Sequence, residues 1–301
     1  MLKIAFLFPG QGAQYVGMAT GLCKDFTQAN ELFSLAGRIL GYDLLDLCAK
    51  GPVEKLNSTR ISQPAIYVSS LAALEAWRMQ DPEGADNCAA AAGLSLGEYT
   101  ALTYAGAIDF ESGLKLVQER GEAMQVAAEA IPSGMLSVFG GEKAAVEEMC
   151  QEASAAGLIQ IANLLCPGNI AVSGDLAGCE ALDKLATAKG YKTVRLAVAG
   201  AFHTPIMNPA LKSLKIKLQA TEIQSPRLPV YSNVDSQPHA SPESIREKLA
   251  NQVVKPVLWE DTIRRLLDFG IEKFHEIGPG RVLAGLVKRV NRKIEIINHP
   301  A

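Results

Sequence analysis

The chain has 301 residues, 48 % of them hydrophobic and 20 % charged, a balance that excludes wholesale disorder. At that length roughly three quarters of the unfolded surface can be buried, so the core requires no disulfide or metal staple. A net charge of −3 argues against a general nucleic-acid binder.

Six scattered cysteines, with no CxxC pair and no Cys/His cluster, fit neither a zinc site nor a disulfide framework. No metal is expected, and a reducing, cytoplasmic setting is. After Lys3 the apolar run Ile4-Ala5-Phe6-Leu7-Phe8 is too short for a signal-peptide core, and no stretch reaches membrane-spanning length.

Residues 2–8 read as a buried strand stopped by Pro9-Gly10-Gln11-Gly12. Amphipathic helices are expected over 25–40 and 64–78, the second opened by Ser62 and Gln63 with Pro64 at its first position. Residues 88–92 are rich in helix-favouring alanine, yet they run straight into Gly93-Leu94-Ser95-Leu96-Gly97, so we assign them to a strand. Helices over 98–104 and 110–130 follow.

From 134 to 198 the rhythm changes. Strands at 135–139, 158–162, 169–173 and 192–198 enclose helices at 142–156 and 176–189, the latter capped by Asp175. That β-α-β-β-α-β order is a ferredoxin-like unit, complete in itself. It reads as a small domain at 131–198 inserted into a larger one formed by 1–130 and 199–301. The larger part resumes with a helix over 206–218, a strand at 229–232, a helix after Ser241-Pro242, another over 259–269 and a strand at 273–277. Gly278-Pro279-Gly280 then precedes a last helix at 282–290. Strands alternating with helices on both sides of the insert predict an α/β fold with a mostly parallel sheet.

Gly93-Leu94-Ser95-Leu96-Gly97 matches G-x-S-x-G, a tight strand-to-helix turn that lifts a serine hydroxyl clear of a sheet. The helix behind it aims backbone N–H groups at any oxyanion formed there. A serine nucleophile needs a base, and the chain has four histidines. His299 is almost terminal and expected to fray, His239 lies in a turn-rich loop, and His275 sits in a predicted strand. Elimination favours His203, in Gly200-Ala201-Phe202-His203, where the insert returns to the main domain.

Other features carry two readings each. Gly10-Gln11-Gly12 is a plain glycine turn unless the serine makes Gln11 an oxyanion donor. Arg120 can grip a carboxylate with its planar fork, but Glu119 and Glu122 nearby make a solvated or helix-paired arginine the simpler account. Arg281, Lys288, Arg289, Arg292 and Lys293, with no acid among them, form either a docking patch for an acidic partner or cations at a helix C-terminus.

Phe8-Pro9-Gly10-Gln11-Gly12-Ala13-Gln14, Gly93-Leu94-Ser95-Leu96-Gly97-Glu98-Tyr99, the segment 118–124, Gly200-Ala201-Phe202-His203 and Glu276-Ile277-Gly278-Pro279-Gly280 occur in one order. Together they closely resemble the malonyl-CoA:acyl carrier protein transacylase family, end to end. The resemblance implies an α/β-hydrolase-like large domain with a ferredoxin-like insert. It implies malonyl transfer from malonyl-CoA to the phosphopantetheine thiol of holo acyl carrier protein, with no cofactor, nucleic acid or membrane. A monomer is expected.

By the same resemblance Ser95 is the nucleophile and His203 its base, Gln11 and the Leu96 backbone N–H form the oxyanion hole, and Arg120 holds the malonyl carboxylate. The main-chain carbonyl of Gln252 orients the histidine, in a dyad without a carboxylate, and Asn163 is a substrate contact. The family usually has histidine where this chain has Leu94, which bears on pocket polarity rather than on the base. Phe202 resembles malonyl-selective members, since its bulk crowds an α-methyl branch, a preference of about 1–3 kcal/mol. The rival readings are a polyketide-pathway acyltransferase, a serine esterase or thioesterase using the same dyad, and a catalytically silent carrier-docking subunit.

Overall fold

The computed structural model describes residues 2–301, and among them ten strands build two five-stranded sheets. In chain order these are β1 (Ile4–Phe8), β2 (Ala90–Gly93), β3 (Ser133–Phe139), β4 (Ile159–Cys166), β5 (Asn169–Asp175), β6 (Lys192–Arg195), β7 (Val230–Tyr231), β8 (Val257–Leu258), β9 (Lys273–Ile277) and β10 (Glu295–His299).

The first sheet has the order β10-β9-β1-β2-β7, and all four pairings are parallel. Helices cover both of its faces, which is why β1 is apolar at every position and buried throughout. Alternate β1 side chains enter different cores. Phe6 and Phe8 join a cluster with Tyr67 and Trp77, while Ala5 and Leu7 pack in another with Trp259 and Leu283. The chain runs from β1 outward to β2 and β7, then returns to the other side of β1 for β9 and β10. The order in which strands are added therefore reverses beside β1, the place where open parallel sheets bind ligands at their carboxyl ends.

The second sheet has the order β6-β3-β5-β4-β8. Helices Lys143–Ala153 and Leu176–Ala188 pack on it, and the Asp175 carboxylate caps the second by accepting from Gly178 N at 2.7 Å. The β-α-β-β-α-β order matches the expectation. The unit is not self-contained, however, because β8 from the C-terminal third adds a parallel rung beside β4. Val257 and Leu258 carry no strand signal of their own, so pairing alone reveals β8.

Two further departures have plain causes. The helix containing Pro64 spans Thr59–Gln80, beginning five residues before the proline. Proline in a helix interior forfeits one hydrogen bond, about 3 kcal/mol, and here sixteen buried positions along the helix outweigh that. His299 is not frayed. It belongs to β10, pairs alongside Ile277, stacks on Trp77 at 3.8 Å and lies 2.8 Å from His275 Nδ1. Burial holds the pKa of each of these two histidines down at about 4, with the His299 imidazole further opposing charge on His275 and Lys273 opposing it on both.

Candidate active site

Gln11 follows β1 and Ser95 follows β2, so the two carboxyl-end turns lie side by side. Three glycines let them touch. A Cβ on Gly10 would strike the Leu94 carbonyl, one on Gly93 the Gly97 backbone, and one on Gly97 the Phe8 carbonyl. Ser95 occupies the left-handed region at φ 50°, and His203 does so at φ 62°. Left-handed residues other than glycine are strained, and such strain concentrates where side chains must be aimed.

Ser95 Oγ lies 3.0 Å from His203 Nε2. His203 Nδ1 lies 2.7 Å from the Gln252 backbone oxygen, which can only accept, so the proton of a neutral ring sits on Nδ1 and Nε2 is left to accept. Burial, and then the charge of Arg120, pulls the His203 pKa from 6.5 to about 4. The imidazole is therefore neutral at ordinary pH.

Arg120 overturns its simpler account. It is 1 % exposed, on the face of helix Phe110–Ala130 shared with Leu116, Val117 and Met124. Its Nη2 donates to Ser95 Oγ and to Gln252 Oε1, both at 2.9 Å, and Nη1 donates to Gln63 Oε1 at 2.8 Å. Glu119 and Glu122 point elsewhere, Glu122 toward Arg60. A guanidinium stays charged even when burial lowers its pKa, so a fixed cation stands beside the serine. Since Ser95 Oγ accepts from Arg120, its own proton is free for His203.

These groups open into a cavity of about 350 Å³ between the two sheets. Gln11, Ser95, Arg120 and His203 stand on its wall beside Leu94, Phe202 and Asn163. A register shift in β4 between Ile161 and Asn163 re-aims the asparagine, and its buried Oδ1 has no partner among the described residues. Gln11 Nε2 is held only by a 3.5 Å contact with Thr59 Oγ1, which leaves it free to turn. Leu96 is buried at the start of helix Gly97–Tyr104, where a backbone N–H has no intrahelical acceptor.

Gln252 is fully buried behind the wall, where its side chain accepts from Arg120 and donates to the Ser95 carbonyl. Val282 and Leu286 of helix Val282–Val290 close the cavity's side, so the cationic stretch 281–293 lies at its rim. Backbone N–H bonds from Leu283 and Ala284 to the Glu276 carboxyl fix that helix, and Arg289 reaches the Pro167 carbonyl at 3.0 Å.

Sequence reasoning missed four contributors. Asn233 Oδ1 accepts from Ser95 N at 2.6 Å and Asn233 Nδ2 donates to Gly93 O at 2.8 Å, bracing the serine turn from both sides. Gln63 orients Arg120, while Glu98 and His239 form a buried pair at 2.9 Å. Only Glu98 carried a signal, as the one carboxylate in a helix whose other positions are apolar, small or aromatic with two threonines.

The acyl transferase domain family matches residues 5–298. The mitochondrial malonyl-CoA-acyl carrier protein transacylase of Mus musculus is 42 % identical over 300 residues, covering 95 % of this chain and 78 % of its own. The solved malonyl CoA-acyl carrier protein transacylase of Coxiella burnetii superposes with a TM-score of 0.95 at 36 % identity, over 99 % of this chain and 93 % of that one. A type II PKS acyl-carrier protein in complex with its malonyl-transacylase gives a TM-score of 0.92 at 35 % identity, over 99 % and 96 %. With this likeness running through both sheets and all the motifs around Ser95, the chain belongs to the acyl transferase domain family, among the malonyl-CoA:acyl carrier protein transacylases.

Proposed function

We propose that this chain moves a malonyl group from malonyl-CoA to the phosphopantetheine thiol of holo acyl carrier protein, through an ester on Ser95. The observation that carries the reading is the Arg120 guanidinium, buried in a largely apolar cavity and 2.9 Å from Ser95 Oγ. A permanent cation there suits an acyl group that ends in a carboxylate.

In the first half-reaction His203 Nε2 takes the Ser95 proton as Oγ attacks the thioester carbonyl. The oxyanion is received by the Leu96 backbone N–H and the Gln11 amide, and the coenzyme A sulfur leaves with the proton held by His203. In the second, the carrier's thiol gives its proton to His203 and attacks the ester, and Ser95 departs reprotonated. Nδ1–H stays on the Gln252 carbonyl throughout, steadying the ring without a carboxylate. Serine, imidazole and guanidinium supply all the chemistry, so the reaction calls for no bound cofactor.

Supplying malonyl units for fatty acid synthesis in the cytoplasm is the setting we assign. All six cysteines are free, and among the described residues no helix is long and apolar enough to cross a membrane.

The test offers malonyl-, methylmalonyl- and acetyl-CoA to the enzyme with holo acyl carrier protein. Malonyl-carrier should accumulate fastest, with a malonyl adduct on the Ser95 peptide after quenching. Release of free malonate at the same rate without carrier would make the chain a thioesterase.

A further inference from the structure

Glu98 is fully buried one turn behind the nucleophile and touches neither the cavity nor the reacting atoms. Its two oxygens are nevertheless tied to the residues that hold Ser95, His203 and Arg120. Oε2 accepts from Asn233 N at 3.0 Å and from Gln252 Nε2 at 2.6 Å. Oε1 faces His239 Nε2 at 2.9 Å, and both side chains of that pair are wholly buried.

Each partner of Oε2 leads to the chemistry by one further bond. Asn233 holds the Ser95 amide and the Gly93 carbonyl. Gln252 holds His203 Nδ1 through its backbone, while its side chain accepts from Arg120 and donates to the Ser95 carbonyl. The Gln252 amide thus stands between the Arg120 guanidinium and the Glu98 carboxyl, linking the buried cation to an acceptor that never enters the cavity. His239, on the far side, engages Oε1, and Oε2 is the oxygen that faces Asn233 and Gln252.

We infer that Glu98, held by His239, is the positioning residue that sets Ser95, His203 and Arg120 in one mutual geometry. The inference rests on Ser95 and His203 being the reacting pair. Its content is positional, because both inward bonds end on one oxygen. Glutamine places an acceptor at the same point, and its amide nitrogen then faces His239, whose unpartnered Nδ1 is free to carry the ring proton instead. Aspartate keeps the carboxyl group but withdraws that oxygen by one methylene.

Glu98→Gln and Glu98→Asp are therefore compared with the parent enzyme, with melting curves recorded for each. One readout is kcat and KM for malonyl transfer. The other is the second-order rate of Ser95 sulfonylation by phenylmethanesulfonyl fluoride, which needs no malonyl donor and so stands apart from the acyl assignment. A displacement near 1 Å at a reacting group lowers rates by up to about 10²-fold, so Glu98→Asp should lose tenfold or more in kcat and in sulfonylation, with KM within about threefold. Glu98→Gln should recover both rates to within about threefold of the parent. Parental rates in Glu98→Asp would overturn the inference, as would a Glu98→Gln enzyme as slow as Glu98→Asp.

Discussion

Ser95 and His203, 3.0 Å apart between Oγ and Nε2, are both held in the left-handed backbone region, at φ 50° and 62°. One lies at the end of a parallel strand and the other at the return from the second sheet, so strain is stored at both halves of the dyad. Left-handed geometry costs about 1–2 kcal/mol for a residue bearing a Cβ. Ser95→Ala and Ser95→Gly should both lose the acyl adduct, yet the glycine variant should be about 1 kcal/mol more stable than the alanine one. Chemical denaturation of the two variants side by side checks this.

Arg120 is expected to discriminate between acyl groups. Removing one partner of a buried charged hydrogen bond costs about 2–5 kcal/mol, so Arg120→Ala should lower malonyl transfer by roughly 10²-fold or more. Acetyl transfer, which lacks the distal carboxylate, should fall far less. Equal losses in a competition assay with both donors would remove Arg120 from the carboxylate role.

The pH dependence follows from the buried imidazoles. With its pKa at about 4, His203 is neutral above that value, so in its proposed role as base it should put the acid limb of acylation near 4 rather than 6.5. His203, His275 and His299 share the same downward shift from 6.5 to about 4. Below 6.5 the unfolded chain takes up protons that the folded one refuses, so their contribution to stability is full above 6.5 and falls as the pH drops toward 4. Melting temperatures across that window should decline, and His299→Phe, which removes one such group while keeping a ring against Trp77, should flatten the slope.

The interlocked glycines give a stability prediction with an internal control. Gly93→Ala forces a methyl into the Gly97 backbone and should destabilise by about 3 kcal/mol. Gly285, on the open side of helix Val282–Val290, has nothing within 4 Å of the point where a methyl would stand. Gly285→Ala should therefore melt at or above the parent, by up to about 1 kcal/mol. Calorimetry on both variants decides it.

What could be read in advance follows from how local each signal is. Helix Phe110–Ala130 was legible to its ends because Asp109 caps it and its apolar stripe has helical period. That same stripe should have located Arg120, since 116, 117 and 124 share its face. The adjacent glutamates bind elsewhere, Glu119 with Ser213 and Glu122 with Arg60, and say nothing about the arginine. Ser95 and His203 were legible because a sharp turn and a domain seam leave marks in sequence. Asn233, Gln63 and His239 left none, because their partners lie far along the chain and only the folded sheet brings them together. β10 escaped for the same reason, its order coming from pairing with β9 rather than from its own short run of residues.

The rung that β8 adds beside β4 bears on how this enzyme could be re-engineered. Asn163 sits opposite Val257 on that rung, and Val257 follows Gln252, the residue behind the dyad, by a few positions. A chimera that grafts only 131–198 from a relative would lay a foreign edge against the native tail and disturb the wall at Asn163. The exchangeable cassette is bipartite: it must carry 257–258 along with the insert if altered acyl preference is to arrive without a slowed enzyme.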